Sequence, residues 1–169
     1  MSKGFFNIAE LLICCIIIVI VATFIFMYAN PTEINRRSRD AIRMSDLSNL
    51  QQVINLMLLE KEVIDPYVLC FNLPSPCSES SYPKNLNSNK VNGTGWIKIN
   101  FQKDSKIFIH SVLPIDPLNT AAFNYTYTGK GQFFKLTTIL ESEKYKNLMQ
   151  NDGGKDSQRY EVGNNLNLD

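Results

Sequence analysis

The chain has 169 residues, 44% of them hydrophobic, which is enough for one domain with a modest core once any membrane segment is set aside. Its 17 Lys and Arg balance 16 Asp and Glu, a formal net charge of +1. That balance removes the electrostatic case for nucleic acid as the main partner, since phosphate binding needs a basic patch.

The first element is an apolar run. From Leu11 to Met27 only Thr23 interrupts it, and Phe5, Phe6, Ile8 and Ala9 extend it forwards. Roughly 24 helical residues at about 1.5 Å each suffice to cross a hydrocarbon core about 30 Å thick. Glu10 lies near its start, where a carboxylate is expensive in lipid and asks for a functional explanation. The run is longer than a secretory signal's apolar region, and Asn30-Pro31-Thr32-Glu33 follows it rather than an Ala-x-Ala cleavage pattern, so it reads as retained. Lys3 precedes it, while Arg36, Arg37, Arg39 and Arg43 follow. Counted simply, the positive-inside rule puts the C-terminal part in the cytoplasm, against the disulfide argument below.

From Pro31 the pattern stays helical but becomes amphipathic. Ile34, Ala41, Met44, Leu47, Leu50, Ile54 and Met57 form one stripe, with Arg36, Arg39, Arg43, Asp46, Asn49 and Asn55 on the opposite face. Pro31 either starts a new helix or kinks a continuous one, and Asp65-Pro66 supplies the stop near Glu62. Residues 63–95 read as a proline-rich surface loop containing Cys70 and Cys77. In an exported domain such a pair closes a disulfide. The bland alternative is free thiols or half a metal site, but no second Cys or His pair accompanies it, and His110 is the only histidine. Cys14 and Cys15, inside the apolar run, read as small hydrophobes.

After Gly95 the period becomes two. Ile97, Ile99 and Phe101 predict a strand, residues 106–112 a second, and Phe123, Tyr125 and Tyr127 a third. Gly129-Lys130-Gly131 turns the chain and 133–140 pairs back. A short helix over 141–149, a turn at 151–156 and a strand over 159–162 close the list. The sum is an α+β layout: one long helix and an antiparallel sheet of about four strands.

Sites are few. His110 falls in a strand pattern, and no Gly-rich phosphate loop, Ser/His/Asp grouping or metal-ligand cluster stands out, so no enzyme is expected. Asp152 and Asp156 flank Gly153-Gly154, with Glu161 beyond. These carboxylates either offer oxygens to Ca²⁺ or form a solvated turn, and the spacing is not that of an EF-hand. Asn92-Gly93-Thr94 and Asn124-Tyr125-Thr126 match the N-glycosylation pattern, which is common by chance.

Lys3-Gly4-Phe5-Phe6-Asn7-Ile8-Ala9-Glu10-Leu11-Leu12 resembles the prepilin signal of bacterial type IV pilins and type II secretion pseudopilins. Arg39-Asp40-Ala41 with Asp46-Leu47 and Leu50-Gln51 is similar to the amphipathic half of their long helix. Gly95-Trp96-Ile97, Leu113-Pro114-Ile115-Asp116-Pro117 and Arg159-Tyr160-Glu161-Val162-Gly163 resemble their small β-domain. The resemblance implies a pilin fold: leader 1–4, filament-core helix 5–30, amphipathic half 31–62 and globular domain 63–169. It implies cleavage after Gly4 and methylation of Phe5 by a prepilin peptidase, and delivery through an inner-membrane assembly platform. The product is a filament with copies of itself or other pilins, in which Glu10 meets the amine of a neighbour. It also implies insertion led by cytoplasmic Lys3, a surface shaped by Cys70 and Cys77, and a calcium role for Asp152, Asp156 and Glu161. One departure stands out. Glu10 comes one residue later than in the usual signal, a rotation of about 100° on a helix, and polar Asn7 sits where the family has an apolar residue. The alternative reading is an uncleaved single-pass anchor carrying a ligand- or partner-binding domain.

Overall fold

The computed structural model describes residues 7–60, 68–104 and 111–168. Gly4 and Phe5, the Asp65-Pro66 stop, His110 and most of the strand expected over 106–112 lie outside the described residues. The chain divides into two units, Met1–Arg36 and Arg37–Asp169.

Of the two options at Pro31, the structure takes the new helix. Helix α1 spans Ile8–Ala29 and α2 spans Pro31–Glu60, with Asn30 between them in the left-handed region at φ 35° and ψ 75°. The residue before a proline avoids the right-handed helical region, asparagine tolerates the left-handed one, and proline suits a first helical position. Asn30 Oδ1 accepts hydrogen bonds from Thr32 Oγ1 at 2.6 Å and Glu33 N at 3.4 Å, capping the helix that follows.

Within the unit Arg37–Asp169, α2 buries Asp40, Arg43, Leu47, Leu50, Ile54 and Met57, at alternating spacings of three and four. The expected stripe is thus right from Leu47 onward. Ahead of that it is corrected: Ala41 is exposed and Met44 only half-buried, while Arg43, expected on the polar face, is wholly buried. Charge, not apolarity, continues the stripe there.

The sheet has four antiparallel strands in the order β1 (Cys77–Ser80), β2 (Thr126–Lys130), β3 (Phe133–Thr138) and β4 (Tyr160–Gly163). Tyr127, Phe134 and Leu136 of its inner face meet α2's Leu47, Leu50, Ile54 and Met57 in one core, with Leu69, Trp96, Ile97, Ile99, Phe101 and Leu113 supplied by loops. The fold is α+β, as expected, but the strands are partly different ones. Residues 97–101 are not a strand, although Ile97, Ile99 and Phe101 are buried. Their backbone bonds singly to other loops: Phe71 N donates to Lys98 O and Phe101 N to Val91 O. Alternation marks which side chains face the core, and an extended loop meets that demand without a ladder. The first strand is instead Cys77-Ser78-Glu79-Ser80, inside the stretch read as loop; its polar side chains carry no strand signal, and it exists through its register with β2.

The β2–β3 hairpin turns through Gly131-Gln132, Lys130 pairing with Phe133, and Gly131 at φ 61° occupies the place where such a tight turn favours glycine. The expected helix at 141–149 contracts to one turn, α3 (Leu148–Asn151). The disulfide expectation is met: Cys70 and Cys77 are bonded, with Cα atoms 5.7 Å apart and both residues buried. Cys77 pairs with Gly129, where an added Cβ would lie 2.6 Å from Tyr127 Oη and 3.0 Å from Leu69 O. Glycine there lets the stapled loop lie against the sheet. Opening the staple frees a short loop in the unfolded chain, so Cys70→Ser/Cys77→Ser is expected to lower unfolding stability by about 2–3 kcal/mol. Denaturant titration of the oxidised wild type and the double variant measures this; equal midpoints would contradict it.

Candidate functional site

Three features carry the chemistry: the apolar helix, a buried charge cluster and an acidic turn. Helix α1 is apolar on every side. Thirteen of its large apolar side chains between Ile8 and Phe26 are 50–78% exposed, and the stretch is long and apolar enough to cross a membrane. Thr23, the polar interruption, returns its hydroxyl to Val19 O at 2.7 Å, so it leaves no donor open to lipid.

At the other end Asn7 is the N-cap, with extended backbone at φ −67° and ψ 139°. Glu10, the third helical residue, accepts the Asn7 backbone N–H on Oε2 at 3.3 Å. This is the reciprocal arm of a capping box, and a carboxylate in the first turn also suits the helix dipole. The late position of Glu10 thereby gains a local reason: the helix starts at Ile8, and the acid serves that start. The signal was present in the sequence as Asn7-x-x-Glu10 before an apolar run, and the sequence reading took Asn7 only as a misplaced polar residue.

The buried cluster joins α2 to two loops. Arg43, 0% exposed, grips Asp116 with two parallel bonds, Nε to Oδ2 at 2.7 Å and Nη2 to Oδ1 at 3.0 Å. Its Nη1 donates to Asp40 Oδ1 at 2.9 Å and to Glu141 Oε1. Arg39 holds both oxygens of Glu141, at 2.8 and 2.6 Å. Three carboxylates thus face two guanidiniums, and backbone donors take up the excess: Glu141 N and Ser142 N bond Asp40, while Leu118 N and Asn119 N bond Asp116. The Phe123 ring lies 5.2 Å from the Arg43 guanidinium carbon, a cation–π contact. Burial alone would lower the Arg43 pKa, but the bonds to Asp116 and Glu141 outweigh it and hold the group charged. Hydrogen bonding from Arg39, then from Arg43, keeps the Glu141 carboxyl below its ordinary range. Sequence reasoning missed this site because a charge at helical spacing looks like a solvated face; the cue was Asp40 and Arg43 lying in phase with Leu47, Leu50 and Ile54.

The acidic turn is closed on itself. Asp152 Oδ1 accepts Gly154 N at 2.8 Å, and its Oδ2 accepts Glu161 N at 2.8 Å. Glu161, buried, takes Lys135 Nζ on Oε1 at 2.9 Å and Asp156 N on Oε2 at 3.2 Å. The structure therefore brings Asp152 and Asp156 of the turn beside Glu161 of β4; Asp152 and Glu161 oxygens serve backbone donors and Lys135, and Asp156 Oδ1 accepts Gln158 N at 2.9 Å. Among the described residues no group of three or more His, Cys, Asp or Glu is placed to hold a metal ion. The bond from Glu161 N to Asp152 faces away from β3, and Gly163 O accepts Gln51 Nε2 at 3.0 Å, so side chains cover the outer edge of β4. A cavity of about 330 Å³ lies alongside, bounded by Leu148, Tyr160, Val162 and Leu166 among others.

No family model matches the sequence, and neither a curated protein nor a solved structure matches it.

Removing Arg43 would leave the buried carboxylates of Asp40 and Asp116 without their cation, and Arg43→Ala is expected to cost about 3–5 kcal/mol in denaturant unfolding, against about 1 kcal/mol or less for the more exposed Arg39→Ala. Equal small losses would contradict the cluster's role. Glu141 titrates lower in the folded chain than its ordinary 4.5, so its stabilisation is complete above that pH and is lost as acid protonates the folded form. Thermal unfolding of Glu141→Gln should accordingly lose part of the wild type's decline in Tm below about pH 4.5; an unchanged pH profile would contradict it.

Proposed function

We propose that the chain is a pilin or pseudopilin, a structural subunit of a bacterial type IV pilus-like or type II secretion-like filament. It is inserted in the membrane through α1 and then assembled through the same helix into a fibre at the cell surface. The observation that carries this reading is α1 itself, a helix of 22 residues with apolar side chains all round and none of its membrane-length stretch buried. Such a helix belongs in lipid or among similar helices. The stapled α+β unit from Arg37 onward, with a helix laid on a four-stranded sheet, supports a pilin-like head, and its disulfide supports an oxidising compartment. In this reading a prepilin peptidase cuts after Gly4, Phe5 becomes the methylated amino terminus, and the assembly platform draws the subunit out of the membrane. Glu10 then exchanges its bond to Asn7 for the amine of a neighbour, a stronger, charge-assisted partner.

A second reading, the uncleaved single-pass anchor with a binding domain, is favoured by one observation: Glu10 is already engaged by its own chain at Asn7. Mass spectrometry of membrane-extracted protein separates the two. A mature chain starting at N-methylated Phe5 is expected, and an intact Met1 would overturn it. Glu10→Ala is expected to leave membrane insertion intact and abolish filaments. Normal filaments in that variant would reduce Glu10 to a helix cap.

A further inference from the structure

The two N-glycosylation patterns have opposite fates in the fold. Asn124 is only 7% exposed, and its Nδ2 already donates to Thr120 O at 3.1 Å and Ala121 O at 3.0 Å. Its nitrogen is spent and covered. Asn92 sits half-buried in a surface turn, and its Oδ1 alone is engaged: it accepts Thr94 N at 3.1 Å and Thr94 Oγ1 at 2.7 Å. Asn92 Nδ2 donates no hydrogen bond among the described residues. The two donors on Oδ1 fix the carboxamide plane and leave the nitrogen as its free end.

The turn is built rigidly. Gly93 has φ +90°, and a Cβ there would lie 2.3 Å from Phe71 Cδ1, so the middle residue of Asn92-Gly93-Thr94 has to be glycine. Asn92 bridges Asn100 across the loop, and Phe101 N donates to Val91 O at 2.9 Å, which fixes the turn's base. The Cys70–Cys77 bond fits the oxidising compartment in which glycans are transferred to asparagine.

We infer that Asn92 is an N-glycan acceptor and that Asn124 is not, with Thr94 as the hydroxyl that orients the acceptor amide. The inference stands on the turn's geometry and does not depend on filament assembly. The donor class is an oligosaccharide on a polyprenyl pyrophosphate, used by a membrane oligosaccharyltransferase. Asn92 Nδ2 forms a bond to the sugar C1 as the bond from C1 to the pyrophosphate oxygen breaks. The pyrophosphate leaves with the electron pair, and one amide proton passes to a base of the transferase. The product is a secondary amide at the edge of the turn, where a bulky polar glycan stays in water.

The test compares the folded, disulfide-intact full chain with the reduced, unfolded chain, each in detergent with a single-subunit oligosaccharyltransferase and its lipid-linked donor. Intact mass and glycopeptide sequencing read the products. The folded chain is expected to gain one glycan, on Asn92, and the unfolded chain to accept at Asn124 as well. Asn92→Gln and Thr94→Ala should abolish the addition to the folded chain, while Thr94→Ser should keep it. A folded chain that stays unmodified at Asn92 would overturn the inference, as would a glycan on Asn124 of the folded chain.

Discussion

The structure depends on how the apolar surface of α1 is removed from water. Thirteen large apolar side chains each at least half exposed would, at about 1 kcal/mol apiece, forfeit on the order of 10 kcal/mol if left in water, as much as a whole domain's net stability. None of the stretch Ile8–Phe26 is buried by the chain's own described residues. Its sequence therefore makes physical sense only with an outside environment that is itself apolar. Lipid provides one, and a bundle of like helices provides another. The ends of the helix are handled differently from its middle. Glu10 and Asn7 satisfy its start, and Asn30 with Pro31 ends it and begins the next, so its polar backbone groups are met close to the sequence that creates them.

The second unit solves another problem, fixing one face of a long helix against a small sheet. Leu47, Leu50, Ile54 and Met57 contribute burial, but apolar contacts tolerate sliding. Arg43 does not. Its bonds to Asp116, Asp40 and Glu141 have fixed directions, so they define where α2 stops along its length and how it is turned. The same bonds draw in the segment around Asp116 and the chain leaving β3 at Glu141, two loops without ladder partners of their own. The disulfide does comparable work at β1, tying the Cys70 loop to the strand that pairs with β2. Through these two fasteners a modest core organises a chain in which much of the backbone is loop.

What was legible in the sequence follows from what kind of cause acts locally. The apolar run, the amphipathic helix after Pro31, the hairpin at Gly131 and the Cys70–Cys77 bond announce themselves through composition, period or short spacing. Strand β1 was illegible because Ser78, Glu79 and Ser80 face water or the sheet edge, and only pairing with Thr126–Gly129 makes them a strand. Residues 97–101 misled for the converse reason: their alternation is real, but their hydrogen bonds go to loops. The site was read by halves. Glu10 stands out as an expense in lipid, while Asn7 beside it gives no sign of pairing until the helix start is seen. Arg43 looks solvent-facing from its neighbours alone, since nothing nearby in sequence reveals Asp116 or Glu141, which lie 73 and 98 residues away.

Under the proposed function, the apolar helix is stored in the membrane, and fibre assembly is the act that gives it protein neighbours. The most direct measurement is electron microscopy of cells with and without the chain, labelled by antibody against the unit from Arg37 to Asp169. Labelled surface fibres that vanish when the chain is deleted are the predicted result. Label spread over the membrane, with fibres absent or unchanged by the deletion, would contradict the account.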